Sequence, residues 1–181
     1  MNVTTPDSAK VVEELYAPLY RFALSLAGQA AAASDLTQEA FFRWFKHGGD
    51  LRDPSKVRSW LFTTLYREFV RTNRRAIRFP HHEIEGVEAE LPTVAPEEAA
   101  GLDGALVLEA LLQVDDAYRA PLSLFYLEGL SYAQIAEALD IPAGTVMSRL
   151  SRGRDQLRRH LKNRLSAEEQ KLIPFAAVQA G

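Results

Sequence analysis

The stretch that decides the fold covers residues 129–159 and has the sequence GLSYAQIAEALDIPAGTVMSRLSRGRDQLRR. Within it, Ser131 and Gln134 have the spacing of a capping box, in which each residue satisfies a backbone N–H of the other. Leu130 and Ile135 have the spacing of a hydrophobic staple around the same helix start. The pattern therefore predicts a helix that begins at Ser131 and runs towards the break at "DIPAG".

A second helix follows this break, and its two faces differ. Pro142 has the fixed φ that suits a first helical turn, and the apolar residues Val146, Leu150 and Leu157 recur at spacings of four and seven. The remaining outward face carries arginine and small hydroxyl residues: Thr145, Ser148, Arg149, Ser151 and Arg152. Arginine can pair twice with guanine, and Ser or Thr can reach bases or phosphates. A helix-turn-helix that enters the DNA major groove is predicted, with a solvated basic helix as the alternative.

Composition sets the limits on class and compartment. The chain has 181 residues, a formal charge of −3, 47% hydrophobic residues and no cysteine. This length suits one large domain or two small ones, and the apolar share supports a folded core. The absence of cysteine excludes disulfides and cysteine-ligated zinc and favours a cytoplasmic location. The polar start predicts no signal peptide, and no apolar run is long enough to predict a membrane span.

Charge is strongly segregated along the chain. Residues 56–78 contain seven basic residues and one acidic residue, and residues 141–165 have the same balance. Between them, residues 80–104 contain seven acidic residues and no Lys or Arg, together with several Pro and Gly. Two basic blocks predict two sites for a polyanion, and the acidic segment predicts a linker between them.

The N-terminal part shows only helical patterns. Apolar residues from Val11 to Leu26 recur at spacings of three and four, and Gly28 is a plausible end. A second helix has the apolar candidates Leu36, Ala40, Phe41, Trp44 and Phe45, and a third extends from about Ser55 to Arg78. The predicted fold is therefore all-α: two small helical domains joined by an acidic flexible linker, the second a four-helix domain containing the helix-turn-helix.

The third helix carries arginines on one face. Arg67, Arg71, Arg74 and Arg78 follow one another at spacings of four, three and four. Unpaired like charges on one face repel, which favours a polyanion as their partner. Aromatic residues lie just upstream: Trp60, Phe62, Tyr66 and Phe69. They suit a platform for single-stranded nucleic acid or an ordinary core, and the pattern leaves both open.

The second helix carries a polar, mostly acidic face. Asp35, Gln38, Glu39 and Arg43 lie at spacings of three, one and four. This face suits either solvent or a basic protein surface, and the pattern does not choose between them.

Taken together, the chain resembles the extracytoplasmic-function class of bacterial sigma factors from about Val11 to Leu161. The resemblance is carried by three segments in order: SDLTQEAFFRWF, VRSWLFTTLYREFVRTNRR and YLEGLSYAQIAEALDIPAGTVMSRLSRGRDQL. It implies an alternative sigma factor that binds core RNA polymerase, directs it to specific promoters and helps to melt the DNA. It implies no enzymatic activity, no cofactor and no metal.

The resemblance also implies residue roles. Asp35, Gln38 and Glu39 are expected to contact polymerase, with Phe41 supporting their helix from within. The loop of residues 48–56 is expected to hold a base flipped from the nontemplate strand. The expected contacts to the melted region are Arg67, Arg71, Arg74 and Arg75. Those to the upstream element are Thr145, Met147, Ser148, Arg149, Ser151 and Arg152. Position 147 is often basic in this family, so Met147 removes one contact.

The same resemblance implies a division into domains. Residues 8–79 are expected to bind polymerase and the downstream promoter element, and residues 105–165 the upstream element. Residues 80–104 form the linker and residues 166–181 a short tail. The expected partners are core RNA polymerase, promoter DNA and an anti-sigma protein wedged between the two domains, and the unbound chain is expected to be monomeric.

Three other functions compete with this hypothesis. A stand-alone helix-turn-helix regulator requires a dimer seam or an effector pocket, and the sequence shows no obvious one. An enzyme requires a site, and the sole candidate is a metal site at His81 and His82, which point apart in an extended chain. An adaptor that mimics a sigma factor without binding DNA does not need the two basic faces.

Overall fold

The chain is all-α throughout the part that the structure describes. This computed structural model describes residues 8–48, 51, 53–72 and 104–172, and these ranges contain helices and no strand, which confirms the predicted class. The α-helices are α1 (Ser8–Ala27), α2 (Ala30–His47), α3 (Val57–Thr72), α4 (Gly104–Leu112), α5 (Asp116–Tyr126), α6 (Tyr132–Leu139) and α7 (Ala143–Leu172). One 3-10 turn, Pro54–Lys56, leads into α3.

Helices α1, α2 and α3 share one apolar core. Its fully buried members include Leu19 and Phe22 of α1 and Leu61 of α3, and the Phe22 ring meets Phe62 edge to face at 5.4 Å. Each such side chain contributes about 1.5–3 kcal/mol when fully buried. Helix α1 ends where the sequence predicts, because Gly28 adopts a φ of 71° and donates its N–H to Leu24 O at 2.9 Å.

Helices α4 to α7 form the predicted four-helix unit. Its buried side chains include Leu122 of α5, Ile135 of α6 and Leu150 of α7. Helix α7 approaches α5 closely at Gly153, where an added Cβ would lie 2.8 Å from the Cβ of Tyr118. Glycine at this position therefore fixes how α7 lies on α5, and with it which face of α7 points outward.

The two units pack against each other. Helix α1 contacts α5, helix α3 contacts α6, and the buried apolar side chains of both units form one continuous cluster. Arg119 of α5 donates from Nη1 to Leu26 O, at the end of α1, at 3.3 Å. The sequence left the relative placement of the two units open. Residues 73–103, which include nearly all of the predicted linker, and the tail after residue 172 lie outside the described residues.

Candidate nucleic-acid interface

The helix-turn-helix has the local geometry that the sequence predicts. Ser131 Oγ accepts the Gln134 N–H at 3.3 Å, and Gln134 Oε1 accepts the Ser131 N–H at 2.9 Å. This is a complete capping box at the start of α6. Asp140 ends the helix in the left-handed region, with φ 56° and ψ 49°, and Ile141 N–H then donates to Ala136 O at 3.1 Å. This left-handed residue turns the chain from α6 towards α7.

Helix α7 starts directly after this turn and buries its predicted stripe. The N–H groups of Thr145 and Val146 donate to Pro142 O at 2.9 and 3.1 Å, so the proline caps the helix start. Val146 is fully buried, and Leu150 and Leu157 are nearly so. The predicted apolar face of this helix is therefore confirmed.

The outward residues of α7 differ in exposure. Ser151 and Arg152 are exposed, as a DNA-contacting face requires. The four residues nearer the start of the helix are half-buried: Thr145, Met147, Ser148 and Arg149. Ser148 also directs its hydroxyl into its own helix, where Oγ donates to Thr145 O at 3.0 Å. The start of α7 is thus partly covered.

Helix α3 lies beside this covered part. Tyr66 of α3 is close enough to Arg149 for the guanidinium to affect its ionisation. Burial raises the pKa of the Tyr66 hydroxyl, and the Arg149 charge partly offsets that rise. Helix α3 itself packs on α6, the first helix of the helix-turn-helix.

The described arginines of α3 have carboxylate partners. Arg67 Nη2 lies 3.1 Å from Asp140 Oδ2, across the contact between the two units, and both side chains are exposed. Arg71 donates from Nε to both carboxylate oxygens of Glu68, at 3.1 and 3.0 Å. The sequence-based interpretation of these two as unpaired like charges is therefore wrong. Arg74, Arg75 and Arg78 lie outside the described residues.

Glu68 is the buried centre of this arrangement. Its side chain is 6% exposed and also accepts a hydrogen bond from Arg43 Nη2 of α2, at 2.7 Å. The hydrogen bond from Arg71 and the nearby Arg43 charge hold the pKa of the Glu68 carboxyl below its usual range, although burial opposes them. Sequence analysis missed this residue, although Glu68 is the single acid within the first basic block.

Much of the aromatic set of α3 belongs to the core. Phe62 is fully buried and Phe69 is 8% exposed, which excludes both as stacking platforms. Trp60 is half-buried and packs edge to face on Trp44 of α2, with ring centroids 5.8 Å apart. The core interpretation therefore holds for the two phenylalanines.

The loop before α3 is ordered by Asp53. Its Oδ1 accepts the Ser55 N–H at 2.9 Å and the Ser55 hydroxyl at 2.7 Å, which starts the 3-10 turn. The same two hydrogen bonds lower the pKa of the Asp53 carboxyl. Leu51 packs against the core, and residues 49, 50 and 52 lie outside the described residues. Two points of the segment expected to hold a flipped base are therefore fixed: Leu51 by packing on the core, and Asp53 by its hydrogen bonds to Ser55.

The polar face of α2 is accessible. Asp35 and Gln38 are exposed, and Gln38 Nε2 donates to Ser34 Oγ at 3.0 Å. Glu39 is half-buried and accepts from Arg43 Nε at 2.7 Å. Phe41, expected to support this helix from within, is 6% exposed. The structure therefore keeps the three predicted docking residues together on one side of α2.

Two phenylalanines extend this face. Phe42 and Phe45 are 56% and 61% exposed, and they follow Gln38 and Glu39 at helical spacings. Phe45, one of the apolar candidates of the second helix, lies outside the core, because Phe41 and Trp44 already occupy the inward positions of this turn. Lys46 Nζ lies 5.2 Å from the centre of the Phe42 ring. The sequence does contain a signal for this exposure. Residues 41–45 include four aromatic residues, and four side chains within five helical positions cannot all point to the core.

A groove borders the acidic end of this face. It has a volume of about 680 Å³ and is open to solvent. Asp35 and Glu39 of α2 line one side, Phe69 of α3 another, and Asp116 and Arg119 of α5 complete it. Both units therefore contribute to the surroundings of the predicted docking residues.

The described residues contain neither a candidate metal cluster nor a helix suited to span a membrane. In the described ranges, no group of three or more His, Asp or Glu residues is placed to hold a metal ion. His81 and His82, the candidate pair from the sequence, lie outside those ranges. None of the helices within residues 8–72 and 104–172 is both long and apolar enough to cross a bilayer.

Comparisons with known proteins agree with this architecture. The family Sigma-70 region 2 matches residues 11–79, and Sigma-70, region 4 matches residues 105–157. The chain is 38% identical to the ECF RNA polymerase sigma factor SigL of Mycobacterium tuberculosis, over 76% of this chain and 79% of that protein. It is 34% identical to the ECF RNA polymerase sigma factor SigE of Mycolicibacterium smegmatis, over 91% and 65%.

A solved structure is similar as well. It is the sigma factor RpoE in complex with the anti-sigma factor NepR from Bartonella quintana, with a TM-score of 0.66 and 26% sequence identity. The match covers 85% of this chain and 96% of that one. It therefore extends over both helical units and not over one alone.

Proposed function

The chain belongs to the extracytoplasmic-function class of RNA polymerase sigma factors, and we propose that three of its surfaces divide the work of that class. It is an alternative sigma factor that directs RNA polymerase to promoters. Core RNA polymerase and promoter DNA are therefore its partners. The proposal concerns which residues make each contact.

Helix α7 contacts the upstream promoter element. The observation that carries this assignment is the exposed pair Ser151 and Arg152, on the second helix of a completely capped helix-turn-helix. Such a helix enters the major groove by its N-terminal part, where arginine and hydroxyl side chains reach base edges. The full contact set is Thr145, Met147, Ser148, Arg149, Ser151 and Arg152.

Helix α3 and the loop before it contact the downstream element and help to melt the DNA. Arg67 and Arg71 of α3, with Arg74 and Arg75 beyond the described part of the helix, hold the backbone around the melted region. Residues 48–56 take up a flipped base, whose unstacking costs a few kcal/mol that protein contacts must offset. Each patch supplies few phosphate contacts, so binding by either one alone is weak and sensitive to salt.

Helix α2 captures polymerase. Asp35, Gln38 and Glu39 supply the polar contacts, and the exposed rings of Phe42 and Phe45 add an apolar continuation of the same face. Exposed aromatic residues beside charged ones suit a protein interface, since aromatics are enriched at interface cores. Polymerase then holds both DNA-contacting helices at one promoter and raises their effective concentration there.

The remaining assignments follow the family. Residues 8–79 form the polymerase and downstream-element domain, 80–104 the acidic linker, 105–165 the upstream-element domain and 166–181 a tail. The protein works in the cytoplasm as a monomer when unbound, catalyses no reaction of its own and uses no cofactor. An anti-sigma protein inhibits it, by analogy with the RpoE–NepR complex.

Reconstitution with bacterial core polymerase tests the function. We expect the purified chain to form a holoenzyme that starts transcripts at a defined set of genomic promoters, mapped by sequencing transcript 5′ ends. Core polymerase alone serves as the control. The absence of any start site that depends on the chain would contradict the proposal.

The docking face has its own test. Replacing Asp35 and Glu39 with lysine should reduce co-purification with core polymerase by about tenfold or more, because each change puts a like charge against a basic partner surface. The matched control is Glu13→Lys with Glu14→Lys, on exposed positions of α1. Equal capture of the two double variants would contradict the assignment.

A further inference from the structure

Four charged residues of alternating sign form a row between α2 and α3. Glu39 Oε1 accepts from Arg43 Nε at 2.7 Å, and Arg43 Nη2 donates to Glu68 Oε2 at 2.7 Å. Arg71 donates to the same Glu68 carboxylate from Nε, at 3.1 and 3.0 Å, and from Nη2. The row therefore runs from a residue of the proposed polymerase face to a residue of the proposed DNA contact.

The exposure of these side chains changes along the row. The Glu68 side chain is 6% exposed, whereas those of Arg43 and Arg71 are 39% and 64% exposed. Removing either arginine from a buried carboxylate weakens the compensation of its charge, so both pairs resist breaking. Glu68 is thus held in place from two helices, and Arg71 is the end of the row that reaches solvent.

The Arg71 guanidinium has more donors than this carboxylate uses. A guanidinium carries five N–H groups in a planar fork. Arg71 directs Nε and Nη2 at Glu68, and this pair does not use the two N–H groups of Nη1 or the second N–H of Nη2. The edge formed by Nη1 and Nη2 matches two oxygens of a phosphate. One side chain can therefore bind the carboxylate and a phosphate at the same time.

We infer that Glu68 is a positioning residue for promoter binding: held by Arg43, it fixes one edge of the Arg71 guanidinium and so presents the other edge to a phosphate of the promoter backbone. The inference rests on the proposed DNA contact of Arg71. A long side chain loses rotamer freedom when it binds DNA, and a partner that has already restricted the side chain removes part of that loss. Glu68 therefore strengthens promoter binding, although its charge has the same sign as that of DNA.

A simple charge argument predicts the opposite effect. An acidic residue beside a DNA-contacting arginine reduces the local positive charge, so removing the acid would tighten binding. The two effects also differ in the salt dependence of binding, because each phosphate contact contributes about 0.7–0.9 to the slope of log K against log salt concentration. Loss of a positioned contact makes this slope shallower, whereas release of a masked arginine makes it steeper.

The test uses purified holoenzyme and a fluorescent duplex that carries a promoter found by start-site mapping. Anisotropy measures binding over a range of NaCl concentrations. We expect Glu68→Gln and Arg71→Ala each to weaken binding by about three- to tenfold and to make the slope shallower by about 0.7–0.9. The double variant should bind as Arg71→Ala does, because Glu68 acts only through Arg71.

Arg71→Lys tests the same inference at an exposed position, where the substitution does not disturb the core. Lysine keeps the positive charge, but its ammonium is a point charge without a planar fork whose edge a carboxylate can fix. Binding should therefore weaken nearly as much as in Arg71→Ala. Wild-type affinity of Arg71→Lys would contradict the inference, even if Glu68→Gln fails to fold.

Leu65→Val is the control for stability, because Leu65 is fully buried on the same helix and carries no charge. Its salt slope should equal that of the wild type. The inference is overturned if Glu68→Gln tightens binding or keeps the wild-type slope, or if its effect adds to that of Arg71→Ala in the double variant. Wild-type affinity and slope in Arg71→Ala would instead reject the DNA contact assigned to Arg71 under the proposed function.

Discussion

Helices α3 and α7 carry similar arginine patterns in the sequence but have different electrostatic surroundings in the folded chain. On α3, Arg67 and Arg71 each pair with a carboxylate, one from the other unit and one from the same helix. On α7, Arg152 points outward from a helix whose opposite side is buried. A cationic face therefore has to be judged by the carboxylates that the fold brings to it, and sequence spacing alone does not identify them.

The source of those carboxylates explains the difference. Glu68 lies on the same helix as Arg71, three residues before it. Its side chain is buried, so breaking the pair would leave an uncompensated buried charge. Asp140 is 73 positions from Arg67 and meets it only because the two units pack together. Arg71 binds Glu68 through Nε and Nη2, so its other N–H groups can reach a DNA phosphate while the pair within α3 persists. The pair of Arg67 with Asp140 depends instead on the packing of the two units. The predictions below test this distinction.

The largest expected effect is on α7. Arg149→Glu with Arg152→Glu should reduce promoter-directed transcription by about a hundredfold or more, because two base or phosphate contacts are lost and repulsion is added. Co-purification with core polymerase should be unchanged. Transcription is measured by run-off assay, with Lys10→Glu as the control on exposed α1. Loss of polymerase binding would show that α7 has another role.

The next largest effect should be on stability, at Gly153, where α7 packs closely on α5. Gly153→Ala should lower the free energy of unfolding by about 1–3 kcal/mol, because its Cβ would lie 2.8 Å from Tyr118 Cβ and must push α7 away from α5. Gly144→Ala, in the same helix, meets no atom within 4 Å and should be neutral or stabilising by up to about 1 kcal/mol. Urea denaturation compares the two. Equal stability would indicate that the close approach is not a constraint.

The pair within α3 should respond to acid. The pKa of Glu68 is held below its ordinary value of 4.5, so its stabilising effect is present above pH 4.5 and is lost as the pH falls through the lowered pKa. Glu68→Gln should destabilise the chain by about 1–3 kcal/mol at pH 7 and flatten its pH dependence below pH 5. Thermal melts from pH 3 to pH 7 measure this. An unchanged acid profile would contradict the role of Glu68.

A third carboxylate, Glu128 in the turn between α5 and α6, should respond to pH in the opposite direction, and least strongly. Its buried side chain accepts from Arg21 of α1 and lies 3.8 Å from Arg58 of α3, so it also joins the two units. Burial raises the pKa of Glu128 to about 7, although the Arg21 and Arg58 charges oppose the shift. The chain with its two units packed together therefore binds the proton more tightly than a chain in which Glu128 is exposed, and this packing weakens as the pH rises from about 4.5 to about 7. Energy transfer between dyes on cysteines introduced at Lys10 of α1 and Asn163 of α7, both exposed, should fall over this range. In Glu128→Gln that dependence should disappear, and its persistence would assign it to another group.

Local sequence rules predicted much of the fold. The capping box at Ser131, the left-handed Gly28 and the apolar stripe from Val146 to Leu157 each depend on neighbours within one or two turns. Such features follow from backbone geometry and hydrophobic spacing, and they are visible in one sequence. The division into three helices and then four helices follows from the same patterns.

The interface was less predictable. The burial of Glu68 and Glu128 and the half-buried start of α7 depend on contacts between residues distant in sequence. Phe45 is one of the apolar candidates of α2, and phenylalanine is among the residues most often buried, yet Phe41 and Trp44 occupy the inward positions. Which of several neighbouring apolar side chains is buried depends on the space that the packed helices leave, and a periodic pattern does not specify that space.

The central claim is that α7 and α3 read separate promoter elements within one holoenzyme. The direct test measures initiation from promoters substituted in either the upstream or the downstream element, with two holoenzyme variants. We predict that Arg149→Ala with Arg152→Ala makes initiation insensitive to the upstream substitution only. Arg67→Ala with Arg71→Ala should reduce the sensitivity of initiation to the downstream substitution only. If both variants lose sensitivity to the same element, or if both retain the wild-type pattern, the claim is contradicted.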